Sequence, residues 1–64
     1  MAQQRWLTTV QVAARVGMSS EWVRREILAG RLRAIIIRRG TRAIYRVAEP
    51  DLRAYLRRYG HDRP

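Results

Sequence analysis

Thr8 to Gly30 reads TTVQVAARVGMSSEWVRREILAG, and the fold turns on this stretch. Thr8-Thr9-Val10-Gln11 has capping-box spacing. In such a box the hydroxyl accepts an amide proton three residues on, and the side chain there reaches back. Val12, Ala13 and Val16 then fall on one helical face, with Leu7 placed to close it from below. Gly17 is the natural stop, because a left-handed cap costs glycine nothing. The pattern predicts a helix over about residues 9–16.

A second helix follows almost at once. Ser19 is a good N-cap, and Glu21 in the first turn suits the positive end of the helix dipole. Val23 and Ile27 are spaced i, i+4 toward a core, while Ser20, Glu21, Arg24 and Arg25 lie elsewhere on the helix. Gly30 is expected to end this helix as Gly17 ends the first. Two short helices joined by a tight glycine-bearing turn have the shape of a helix-turn-helix.

Downstream, residues 34–38 and 43–47 are two β-prone runs around Arg39-Gly40-Thr41-Arg42. They predict a hairpin, with Tyr45 and Val47 on one face and Arg42, Ile44 and Arg46 on the other. Pro50 suits the first turn of a third helix, helped by Glu49 and Asp51. Leu52, Tyr55, Leu56 and Tyr59 form its amphipathic stripe and are expected in the core, Tyr59 at the edge. Trp6 is expected in the core too. The fold class is mainly α with a β-hairpin: helix, helix, hairpin, helix, a winged helix-turn-helix. One domain over residues 1–60 is expected, with 61–64 a flexible tail.

Composition narrows the function. The chain has 64 residues, 14 arginines and no lysine, five acids and a net charge of +9. A chain of this length buries only about 60% of the surface its unfolded form exposes, which argues against a deep active site. There is no cysteine, so neither disulfides nor thiolate metal sites are expected. The single histidine, His61, has no partner histidine for a metal site. No acid pair or nucleophile–base pair suggests an enzyme. No cofactor, small-molecule ligand or membrane partner is expected. No apolar run nears the roughly 20 residues of a membrane span, and no secretory signal is visible, so the chain reads as cytoplasmic. At 47% hydrophobic it has material enough to fold. A small, folded, strongly basic domain points to a polyanion. GC-rich codon usage accounts for arginine over lysine, but not for the excess of base over acid.

The charge is unevenly placed. From Ile27 to Ala48 there is no acid, and the stretch holds Arg31, Arg33, Arg38, Arg39, Arg42 and Arg46. The acids lie outside it, at Glu21, Glu26, Glu49, Asp51 and Asp62.

The series Trp6-Leu7-Thr8-Thr9, Val12 to Ser19, Val23-Arg24-Arg25, Gly30-Arg31-Leu32, Tyr45-Arg46-Val47 and Asp51 to Leu56 resembles the excisionase-type helix-turn-helix family. This is the minimal branch of the MerR-like winged-helix superfamily, and the resemblance runs from Trp6 to Leu56. It implies a second helix seated in the major groove and a wing in or along an adjacent minor groove. It implies an architectural partner of an integrase, of phage or mobile-element origin, that binds repeated sites head-to-tail and bends DNA. A bacterial or phage source and association with the nucleoid go with it. Relatives of similar size act as transcription regulators without an effector domain. Two positions depart from the family pattern: it often has an aromatic residue at Glu26 and a small or polar one at Trp22. The stretch from Leu32 to Tyr45 is also longer than in the shortest members.

Candidate DNA-binding residues follow, each with an alternative. Arg24 and Arg25 either read guanine through paired hydrogen bonds or bind phosphate only. Ser20 and Glu21 enter the groove first, and Glu21 either accepts from cytosine or merely favours the dipole. Trp22 is either partly buried or packed on sugar and thymine methyl. On the wing, Arg38, Arg39, Gly40, Thr41, Arg42 and Arg46 either grip a minor groove or form a solvated hairpin. Thr8, Thr9, Arg31, Arg33 and Arg53 are possible phosphate contacts; Arg53, with Arg57 and Arg58, equally suits a solvated helix face. Double-stranded DNA is thus the expected partner. RNA binding through an arginine-rich face, and an adaptor role toward acidic proteins, are the competing classes.

Overall fold

The computed structural model describes residues 5–60. Its elements are β1 (Trp6–Leu7), α1 (Thr9–Val16), α2 (Ser20–Leu28), β2 (Ile35–Arg39), β3 (Arg42–Ala48) and α3 (Glu49–Tyr59). The expected tail at 61–64, with His61, lies outside the described residues, as does the start of the expected domain at 1–4.

Local chemistry sets both helix starts. The Thr8 hydroxyl accepts from the Gln11 amide at 3.1 Å, and Gln11 Oε1 accepts from the Thr8 amide at 2.9 Å. This closes the capping box at the head of α1. Gly17 ends the helix at φ 73, returning its amide to the Ala13 carbonyl at 2.8 Å. The Ser19 hydroxyl then caps α2 by accepting from the Trp22 amide at 3.1 Å. Gly17, Met18 and Ser19 alone separate the two helices. The end of α2 differs from expectation. Ala29 is its cap, still right-handed, and Gly30 carries the positive φ of 84 one residue beyond. The Glu26 carbonyl collects the amides of both Arg31 and Leu32 there, which turns the chain toward the sheet.

The hairpin forms by the expected route, with β2 shifted by one residue and β3 longer by one residue at each end. Arg39 pairs with Arg42 across a two-residue Gly40-Thr41 turn. Gly40 has φ 60 while no residue other than glycine has a positive φ, so glycine leads the turn, a type II′ pattern. The sheet is antiparallel, in the order β1-β3-β2. Its third strand, β1, had no sequence signal, since two residues are too few for an alternating pattern. Trp6 pairs with Ala48 and Leu7 with Val47.

The core gathers Leu7, Val12, Ala13, Val23, Ile27, Leu32, Val47, Leu52 and Tyr55 from every element except β2, with Leu32 supplied by the loop before it. Burying one such aliphatic side chain contributes about 1.5–3 kcal/mol. Two expected core residues, Trp6 and Leu56, are corrected; Tyr59 is expected only at the edge. Trp6 is 41% exposed, because strand alternation turns Leu7 inward and Trp6 outward. Leu56 and Tyr59 are 39% and 41% exposed, because α3 runs past the core after Tyr55. Trp22 is half-buried and meets the Tyr55 ring edge-on, with centroids 6.3 Å apart.

Candidate nucleic-acid interface

Helix α2 turns Val23, Glu26 and Ile27 inward. Arg24 and Arg25, beside them, are therefore exposed, as is Glu21; Ser20 is half-buried. Glu21 and Arg25 stand i, i+4 with the acid first, a spacing that favours both charges on a helix.

Strand β1 covers only Val47 and Ala48 of β3. Among the described residues no strand pairs with the same edge of β3 from Ala43 to Arg46. Backbone amides alternate between the two edges of an antiparallel strand, so every second residue of this segment directs its N–H and C=O to the open side. Thr9, at the start of α1, and Arg24, in the middle of α2, flank that edge. With Ala43, Ile44, Tyr45 and Arg46 they line a groove of about 420 Å³. The Arg46 guanidinium donates to the Tyr45 carbonyl at 2.9 Å. Arg46 is thus a half-buried residue of the wing base, not of its tip.

At the tip Arg38, Arg39, Gly40, Thr41 and Arg42 are all exposed. Arg39 and Arg42 are direct cross-strand partners. Like charges directly opposite one another destabilise a hairpin. Neither has a carboxylate within ion-pair distance among the described residues. The tip therefore carries an electrostatic cost that an external anion would relieve.

The expected phosphate contacts divide. Thr9 lines the groove. The Thr8 hydroxyl serves as the α1 cap. Arg33 is exposed and unpaired among the described residues. Arg53 lies 3.6 Å from Glu49. Arg31 is engaged most fully: its Nε and Nη2 each donate to the Glu26 carboxylate at 2.9 Å.

Sequence reasoning missed Glu26 as a structural residue. It is a nearly buried carboxylate on the inner face of α2, held by Arg31 and by the Tyr55 hydroxyl. The Arg31 hydrogen bond holds its carboxyl below the usual range despite the opposing effect of desolvation, and Tyr55 adds to it. Burial, reinforced by the bond to Glu26, pushes the Tyr55 hydroxyl up to about 12. A second link joins α1 to α3, where Arg15 pairs with Glu49 and lowers that carboxyl also. A carboxylate among Val23 and Ile27 was the available signal for Glu26.

Paired helices, a three-residue turn and a hairpin packed beside them define a winged helix-turn-helix. Residues 6–60 match the family model described as "Helix-turn-helix domain". The chain belongs to that family of DNA-binding domains. No curated protein and no solved structure gives a significant match. Among the described residues no helix is long and apolar enough to cross a membrane.

Proposed function

We propose that the chain binds double-stranded DNA sequence-specifically, with α2 in the major groove and the wing along the neighbouring minor groove. The groove between α2 and β3 carries this reading. It sets Arg24, Thr9, Arg46 and an open strand edge along one channel, where a phosphate chain passing from helix to wing would meet cations and amides together. Arg24 and Arg25 read bases or adjacent phosphates, and Arg38, Arg39 and Arg42 hold the wing end. The chain acts as a binder, not an enzyme, and needs no cofactor.

The role that fits the excisionase-type resemblance is architectural: DNA bending that directs an integrase toward excision, with neighbouring copies head-to-tail on repeated sites. Footprinting on the protein's own genomic locus, combined with a circular-permutation bending assay, tests it. Adjacent repeated sites with a bend support the architectural role. A single unbent site over a promoter assigns the chain to small transcription regulators. Preference for structured RNA over duplex DNA overturns both.

A further inference from the structure

The outer face of the sheet carries an apolar surface, Trp6, Ile35 and Ile37, that lies outside the proposed DNA groove and shares only Arg46 with it. Directly paired residues share a face, so Trp6, Ile35, Ile37, Ile44 and Arg46 point one way and Leu7, Tyr45 and Val47 the other. The second set packs on the helical core. Of the first set, Ile44 and Arg46 also reach the groove beside α1 and α2, whereas Trp6, Ile35 and Ile37 lie outside it. Trp6, Ile35 and Ile37 are 41%, 45% and 43% exposed. With Arg46 they line a cleft of about 370 Å³. Strand β2, which holds the isoleucines, is an edge strand. Exposed β-branched residues on an open edge are a liability that proteins normally blunt with charge or cover.

Charge selects the occupant. Among the described residues Arg46 is the one charged side chain of the cleft, and Arg39 and Arg42 continue the same face toward the tip. Among the described residues none of the three has an acidic partner. Two of the described acids, Glu26 and Glu49, are engaged in ion pairs elsewhere. A second copy would bring another +9 to the contact and few free carboxylates. Duplex DNA would neutralise the arginines but leave Trp6, Ile35 and Ile37 against phosphate.

We infer that this face docks an acidic amphipathic segment of another protein, its apolar side chains over Trp6, Ile35 and Ile37 and a carboxylate on Arg46. The partner and the duplex then meet at Arg46, while the partner's apolar contacts on Trp6, Ile35 and Ile37 lie outside the DNA groove.

The test uses the full chain, isotope-labelled, and a synthetic amphipathic peptide with leucines on one helical face and glutamates elsewhere. A scrambled peptide of the same composition is the control. The expected result is micromolar binding with amide shifts centred on Trp6, Ile35, Ile37 and Arg46, and weaker binding of the scrambled peptide by about tenfold or more. Ile37→Thr and Arg46→Gln should each weaken the peptide by a similar factor, and Ile37→Thr should leave duplex binding and the thermal melt unchanged. Equal binding of both peptides, or shifts centred on Arg24 and Arg25, overturns the proposal. So does reversible self-association of the free chain that Ile37→Thr abolishes, or a DNA duplex that shifts Trp6, Ile35 and Ile37 as the peptide does.

Discussion

The Tyr55 hydroxyl donates a hydrogen bond of 2.8 Å to Glu26 Oε1, joining the third helix to the inner face of the second. Arg31 completes the grip on the same carboxylate from the chain that leaves α2. The helix proposed to enter DNA is thus fixed by polar bonds at its base as well as by Val23 and Ile27. Tyr55→Phe removes one bond from a nearly buried carboxylate and should destabilise the domain by about 1–2 kcal/mol. Chemical denaturation measures this. Specific DNA affinity should fall more than stability alone accounts for, because the tilt of α2 is loosened.

Stability should fall at both pH extremes, for different reasons. The Glu26 and Glu49 carboxyls are held below their ordinary value of 4.5. Their contribution is present in full above that value and is lost as pH falls through the lower folded values. The Tyr55 hydroxyl is raised from 10.0 to about 12. Its contribution is present below pH 10 and is lost as pH rises toward 12. Thermal melts across pH should show both losses, and Tyr55→Phe should flatten the alkaline one.

The turn between α1 and α2 rests on one backbone conformation. Gly17 holds φ 73, and a methyl group added there would meet nothing within 4 Å. The cost of Gly17→Ala is therefore conformational, about 1–2 kcal/mol. Gly17→Asn should cost less, since asparagine tolerates the left-handed region. Equal losses for the two variants would show that packing, not backbone conformation, governs the turn.

At the wing tip stability and binding should move in opposite directions. Arg39→Ala or Arg42→Ala removes a like-charge cross-strand pair, so the free protein should melt slightly higher. Duplex affinity should drop on cognate and random DNA alike, and the salt slope should shrink by about 0.9 for each phosphate no longer neutralised. Arg24→Ala should instead weaken cognate DNA more than random DNA, by about 1–3 kcal/mol where it reads a base. Equal loss on both assigns Arg24 to phosphate.

Much of this architecture is legible in local sequence, because its signals are local. Thr8 and Gln11 are three residues apart, and Gly17 and Gly40 mark their turns by themselves. What is not legible depends on distant partners. Glu26 meets Tyr55 across 29 positions, so no window around either shows the bond. Trp6 looks like core material by composition, and only its pairing with Ala48 decides that it faces outward. The groove is similar. Arg24 and Arg46 read as parts of two separate basic elements, and the shortness of β1 leaves open the strand edge that lies between them.

If α2 and the wing grip one duplex together, their arginines release counterions together. Affinity for a short DNA duplex, titrated against salt, reads that release. A grip neutralising about six to eight phosphates gives a slope of log K on log salt near −5 to −7. A slope shallower than about −2 would rule out a joint grip by helix and wing.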